Sequence, residues 1–267
     1  MATGSLHLNR DIILATKRQH VKERQRHTPT EAILSLAQMQ KRPRSLLNYT
    51  TDGDRIFLIA QITRTEVYDP VTSALHCIAH GADAVSFFTD HSIYHEDLDD
   101  MLLVARGTKT VPIIYQNYVL DEYGVMAARA ADASGLVLFA SLLPEDVLRR
   151  VVVMTQRWKM FTLIQVNDMA ELKIAKMLSP HVLCFGDNLS NNIETTVADL
   201  NALRDDLPLH SKVMLMHTLQ SIDEVEVALK ADVDGLIVSE NVLKHRKQSR
   251  ALRQLMDEAA MKRHHNG

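Results

Sequence analysis

Two histidines four residues apart, His91 and His95, with Glu96 and Asp97 directly behind them, form the densest group of possible metal ligands in this 267-residue chain. Imidazoles and carboxylates at that spacing could hold a divalent ion, but a zinc site needs a third fixed protein ligand, and none accompanies them. A solvated loop explains the same residues, so no metal and no cofactor is expected. His264-His265 reads as a polar tail. Cys77 and Cys184 stand in apolar stretches far apart, without a C-x-x-C pair. They read as buried free thiols of a reducing compartment, either the cytoplasm or an organelle interior reached by a targeting peptide since removed. No apolar run is long enough to span a membrane.

Any such residue must be positioned by a strict alternation that begins near residue 55. Short, β-branched apolar runs recur at Ile56–Ile62, Ala84–Phe88, Val111–Tyr115, Gly135–Phe139, Thr162–Val166, Val182–Phe185, Val213–Met216 and Gly235–Val238. They are nearly continuous in hydrophobicity, as strands covered on both faces must be. Amphipathic segments lie between them, opened by Asp69-Pro70, Asp121-Glu122, Pro144-Glu145-Asp146, Asp168 and the Ser-x-x-Glu box Ser221-Ile222-Asp223-Glu224. Eight βα units predict an α/β fold, a single (β/α)8 TIM barrel. A doubly wound sheet is the runner-up, but its G-x-G-x-x-G is missing. Residues 10–26 and 29–41, the second opened by Thr28-Pro29, predict two extra N-terminal helices. The expected organisation is an extension over 1–54 and the barrel over 55–267.

Charge is unevenly spread. Residues 10–28 and 244–263 together carry a net +9, which leaves −12 on the rest of a chain whose total is −3. Basic ends on an acidic body suit an acidic partner protein. The candidate surface comprises Lys17, Arg18, Lys22, Arg24 and Arg26 with Lys244, Arg246, Lys247, Arg250 and Arg253. The ends of such a barrel should lie close together, which would merge the two segments into one positive face. Nucleic acid is the weaker candidate, because one Trp among thirteen aromatics offers little for base stacking. Solvated faces of outer helices would explain the same charges.

Several segments resemble the indole-3-glycerol phosphate synthase family. The family's second unit, GA-x-A-[IV]-S-x-L-T-D, is matched by Gly81 through Asp90, followed by Tyr94 and Leu98-Asp99-Asp100-Met101. Its third unit, P-[VI]-L-R-K-D-F-I-[IL]-D-x-Y, is matched by Pro112 through Tyr123. The first strand's I-A-E-I-K-R stands as Ile59-Ala60-Gln61-Ile62-Thr63-Arg64, and the fifth strand's L-[VI]-E-V-H as Leu163-Ile164-Gln165-Val166-Asn167.

That resemblance implies a ring-closing carboxy-lyase of tryptophan biosynthesis, with a cationic general acid and a carboxylate base. It also implies that both have been replaced. The family's third-strand lysine falls at Gln116 and its fifth-strand glutamate at Gln165. The first-strand glutamate and lysine become Gln61 and Thr63, the sixth-strand asparagine becomes Gly186, and the seventh-strand glutamate and serine become Met216 and His217. An amide can hold a substrate but has no proton to exchange in the useful range. The phosphate site resembles the family's least: Arg64 runs through Thr65-Glu66-Val67-Tyr68 straight to Asp69-Pro70, while Thr218, Ser239 and Asn241 stand where glycines and their neighbours cradle phosphate.

Two expectations follow. The first is a non-catalytic barrel, a pseudoenzyme acting as a structural, assembly or regulatory binding subunit. The second is an enzyme, either a weak synthase or one with new chemistry at the same mouth. In the second, His217 is the residue able to act as acid or base near neutral pH, although no carboxylate or lysine is placed to partner it.

Overall fold

The computed structural model describes residues 3–46, 55–63, 69–88, 98–108, 110–186 and 192–266. Two helices, α1 (Thr3–His27) and α2 (Thr30–Gln38), precede the first strand. Then follow β1 (Phe57–Ile62), α3 (Pro70–Ala79), β2 (Ala84–Phe88), α4 (Leu98–Thr108), β3 (Ile113–Gln116), α5 (Glu122–Ala130), β4 (Gly135–Phe139) and α6 (Glu145–Arg157). The chain continues through β5 (Phe161–Val166), α7 (Met169–Met177), β6 (Val182–Phe185), α8 (Ile193–Leu203), β7 (Lys212–Leu219), α9 (Ile222–Leu229), β8 (Gly235–Ser239), α10 (Glu240–Leu243) and α11 (Arg246–Asn266). The eight strands are all parallel and close in sequential order, β8 pairing with β1, so the chain is a (β/α)8 barrel. Among the described residues no helix is long and apolar enough to cross a membrane.

The predicted helix starts rest on side-chain caps. Asp69, Asp121, Asp168 and Ser221 each accept a hydrogen bond from backbone N–H groups of the following first turn. Such caps supply partners for amides that the helix cannot pair itself, each at about 1 kcal/mol. Glu224 reaches one residue further back than a capping box requires, accepting from the Gln220 amide at 2.7 Å. β3 starts two residues later than the apolar run, past Pro112, which has no N–H for the ladder. β7 runs on to Leu219 because its pairing with β8 slips between Met214 and Thr218.

Alternation along each strand divides the core in two. Residues such as Leu58, Ala60, Leu136 and Leu215 face the helices, and Phe57, Ile59, Ile114, Val137, Leu163, Met214 and Ile237 fill the barrel. The bottom layer pairs large with absent side chains. A Cβ on Gly135 would lie 2.3 Å from the Phe161 ring, and one on Gly235 would lie 2.0 Å from the Phe57 ring. Leu46 enters this inner cluster from the leader and is fully buried there.

The leader is tied down by arginines that read in sequence as surface charge. α1 and α2 pack Val21, Ile33 and Ala37 against Tyr123, Met126, Ala127 and Ala130 of α5. Below them Arg129, only 1% exposed, donates to Ala133 O and Asp132 Oδ1 at 2.9 Å and to Lys41 O. Arg44 donates to Val111 O at 3.3 Å and Ala105 O at 3.1 Å. Both cysteines are buried and free. Burial pushes the Cys77 thiol up to about 12, with Glu240 adding to the shift, and it raises Cys184 as well.

Candidate functional site

The C-terminal ends of the strands form the barrel's mouth, where this fold does its chemistry. Register places one side chain from each odd-numbered strand in a common layer there. Gln61 on β1, Gln116 on β3 and Gln165 on β5 continue the inward series Ile59, Ile114 and Leu163, and Met216 on β7 continues that of Met214. Three of the four side chains are primary amides.

Their partners are neutral too. Gln116 is fully buried, its Nε2 donating to Met216 Sδ at 3.6 Å and its Oε1 accepting from Ser86 Oγ at 3.5 Å. Both bonds are weak, the first because thioether sulfur is a poor acceptor and the second because it sits at the limit of hydrogen-bond length. Gln165 donates from Nε2 to Gly186 O at 2.6 Å and Asn167 Oδ1 at 2.7 Å. Its Oε1 is buried with no partner among the described residues. Gln61 Oε1 accepts from Thr218 Oγ1 at 2.8 Å. Thr63 follows β1 at the rim, half-buried.

His217 does not belong to this group. Met214, Met216 and Thr218 point inward, so His217 between the last two faces the helices with Leu215 and Leu219. Its Nδ1 is buried there without a partner among the described residues. The expectation that His217 converges with the glutamines is corrected by strand alternation. The nearby carboxylates are likewise engaged elsewhere. Glu240 lies toward α3, where its charge raises Cys77. Glu171 accepts from the Asn167 amide at 2.8 Å, and Glu224 from Gln220.

The residues at the expected phosphate positions have taken internal roles. Ser239 caps α10, its Oγ accepting the Asn241 amide at 3.3 Å, the N–H an anion would need. Thr218 is committed to Gln61. Gly186 has φ +83° and a backbone so close to Thr196 that a Cβ would sit 2.4 Å from Thr196 Cγ2. The shortened loop from Arg64 to Tyr68, the group His91, His95, Glu96 and Asp97, and Asp187-Asn188, which stand where the family has an arginine after its sixth-strand asparagine, lie outside the described residues. The side chains of His264 and His265 do too.

The basic segments divide. Lys17 is 4% exposed and therefore not part of a solvent-facing patch. Arg253 donates to Gly81 O and lies 3.9 Å from Asp83, so it is a structural tie. Arg18, Lys22, Arg26, Lys244, Arg246, Lys247 and Arg250 are exposed, and Arg24 is half-buried near Tyr123. The first group sits on α1, whose Val21 packs on α5, and the second on or just before α11, which packs on α9 and α10. Their helices are thus anchored on different sectors of the outer ring. What the sequence hid at the mouth was the role of Ser86, Met216 and Thr218. Nothing in the sequence singled out the last two, because the uniformly apolar Val213–Met216 has no alternation to show which of its residues face inward.

A sequence profile described as indole-3-glycerol phosphate synthase matches residues 10–255. The chain belongs to the indole-3-glycerol phosphate synthase family. The enzyme of that name from Acidithiobacillus ferrooxidans (strain ATCC 53993 / BNL-5-31) is 25% identical over 255 residues, 91% of this chain and 96% of that protein. The one from Dichelobacter nodosus is 22% identical over 240 residues, 85% and 90% of the two chains. Among solved structures, tryptophan synthase subunit alpha from Legionella pneumophila str. Paris superposes with a TM-score of 0.60 at 15% identity, covering 81% of this chain and 97% of that one. The 3-hexulose-6-phosphate synthase from Salmonella typhimurium does so with a TM-score of 0.65 at 9% identity, covering 76% and 100%. At such identities these two structures speak to the fold alone.

Proposed function

We propose that this family member no longer performs the ring closure implied by its relatives' name and acts as a binding subunit built on the synthase scaffold. The reading rests on the mouth layer of Gln61, Gln116, Gln165 and Met216. General acid–base catalysis typically contributes about 10²–10⁴ per group, and neither an amide nor a thioether can supply it near neutral pH. The self-capped Asn241 amide adds to the case, because a phosphate would have to displace Ser239 Oγ.

The partner proposed is an acidic protein, met by the exposed cations of α11 and its approach, Lys244, Arg246, Lys247 and Arg250, or by Arg18, Lys22 and Arg26 on α1. RNA is the secondary candidate. A second reading, an active synthase, is favoured by one observation: matches covering most of the chain are to proteins named indole-3-glycerol phosphate synthase.

The deciding experiment incubates the purified chain with the synthase's substrate and follows indole-glycerol phosphate, alongside complementation of a synthase-deficient strain. No product above background and no growth are expected. Turnover that disappears on Gln116→Ala would establish the enzyme reading instead. For the partner, native purification at low and physiological salt should show salt-sensitive association, since exposed charges are screened over about 8–10 Å. Lys22→Glu with Arg250→Glu should weaken that association without unfolding the barrel.

A further inference from the structure

The opposite end of the barrel carries a second cleft. Where the leader passes beneath the N-terminal ends of the strands, Arg42–Ser45 face the turns that enter β5 and β6 and enclose about 770 Å³. That volume falls within the roughly 300–1,000 Å³ of small-molecule sites. Its described lining includes Arg42, Arg44, Lys159 and His181 and no carboxylate. The lining thus holds three Lys/Arg side chains with no acid among its residues to balance them.

Two of these cations are uncommitted. Arg44 is spent on Val111 O and Ala105 O, with Asp132 at 3.9 Å, so it shapes the wall. Arg42 and Lys159 are exposed, and neither has an acidic partner among the described residues. His181 Nδ1 accepts the Thr162 amide at 3.2 Å, so the neutral ring carries its hydrogen on Nε2 as a donor.

The backbone adds a second, independent indication. Four non-glycine residues adopt left-handed φ: Asp132, Lys159, Ser179 and Asp232, at 62°, 61°, 49° and 48°. Each follows a helix at a place glycine would fill without strain, and a side chain there is disfavoured by its own Cβ. Asp132 and Asp232 offset that cost inside the chain, pairing with Arg129 and Arg263. The side chains of Lys159 and Ser179 make no such bond among the described residues, and both line this cleft.

We propose that the floor cleft binds a small phosphorylated molecule, its phosphate held by Arg42 and Lys159 with the Ser179 hydroxyl and His181 Nε2–H as neutral donors. Phe161 and Met160 offer the apolar wall for the rest of the ligand. The site lies at the end of the barrel away from the synthase mouth and is independent of whether the mouth is catalytic.

Calorimetric titration of the purified protein with inorganic pyrophosphate and with ADP tests this. One-site binding of at least one probe is expected, weakening with added salt. Arg42→Glu should weaken it about tenfold or more, the value of one charge-assisted contact. Lys159→Gly should weaken it equally while leaving the turn intact, because glycine suits the left-handed backbone; an unchanged melting curve checks that. The proposal is overturned if neither probe binds by about 5 mM. It is also overturned if binding is the same in Arg42→Glu and Lys159→Gly, which would put the phosphate elsewhere on the barrel.

Discussion

Thr218 Oγ1 donates to Gln61 Oε1 at 2.8 Å, tying β7 to β1 above the Ile237 layer of β8, the strand between them. A residue at an expected phosphate position and one at an expected catalytic position thus satisfy each other. The same self-sufficiency recurs around the mouth, in Gln165 with Gly186 O and in Ser239 with the Asn241 amide. In a working site such groups are left poised for substrate, and perturbed ionisable groups mark the cleft. Here the inward-facing groups among the described residues are neutral and largely bonded to one another.

Charging this layer should therefore be costly. Gln116→Lys would bury an ammonium beside Met216 and Ser86 with no carboxylate among the described neighbours, so stability should fall by about 2–4 kcal/mol. Gln165→Glu lies in the same layer, one strand beyond β4. Adding it should recover part of that loss through a coupling of about 0.5–3 kcal/mol. The double variant should still form no indole-glycerol phosphate, because Met216 and the capped Asn241 amide are unchanged. Urea titrations of the single and double variants, with an assay of the latter, read all three outcomes. A fully stable Gln116→Lys would mean that the layer is not sealed, and an active double variant would mean that the binding site persists.

Gly186 is constrained twice. Its φ of +83° is strained for any other residue, and a Cβ would meet Thr196 Cγ2 at 2.4 Å. Gly186→Ala should cost about 1–3 kcal/mol. Adding Thr196→Ser removes the methyl in the way and should recover only the steric share. Complete recovery in thermal denaturation would show that the backbone conformation costs nothing.

The buried guanidinium of Arg129 ties the leader to the barrel through Lys41 O. Arg129→Ala strips partners from Lys41 O, Ala133 O and Asp132 together, so a loss of about 3–5 kcal/mol is expected. Limited proteolysis should then cut near Lys41 and Arg42 much faster than in the parent. Unchanged cleavage would show that Arg44 and Leu46 hold the leader unaided.

The eight strands were legible because parallel strands buried on both faces must be apolar throughout, and the caps because Asp and Ser announce themselves before amphipathic runs. The direction of His217 was not legible. Val213–Met216 is uniformly apolar, so no alternation fixes which parity faces inward, and the slip against β8 lengthens β7 past its apolar run. Arg129, Arg44 and His181 were hidden for another reason. Each acts through partners 19 to 88 residues away, and in sequence an arginine on a helix or a histidine in a turn looks solvated. The exposed part of the basic segments was visible in composition, while the burial of Lys17 and the tie of Arg253 to Gly81 O depended on packing.

Stability should fall with acid through His181. Burial lowers its pKa from the ordinary value, and its Nδ1 must stay unprotonated to accept the Thr162 amide. A base held neutral in the folded state contributes stability that is complete above the unfolded pKa, about 6.5, and is lost as pH falls from there toward the lower folded value. In that window the unfolded chain binds the proton and the native one does not, so the slope is at most about 1.4 kcal/mol per pH unit. Asp83 and Asp121 are shifted the other way, raised chiefly by burial, and favour the folded state as they take up protons at lower pH. The contribution of His181 is therefore read as a difference. Urea midpoints of the parent and of His181→Asn are compared between pH 7.5 and 5.5, in buffers free of phosphate. The parent should lose more stability than the variant over that range. Parallel curves would mean that His181 accepts its proton in the folded barrel and that the Thr162 bond is dispensable.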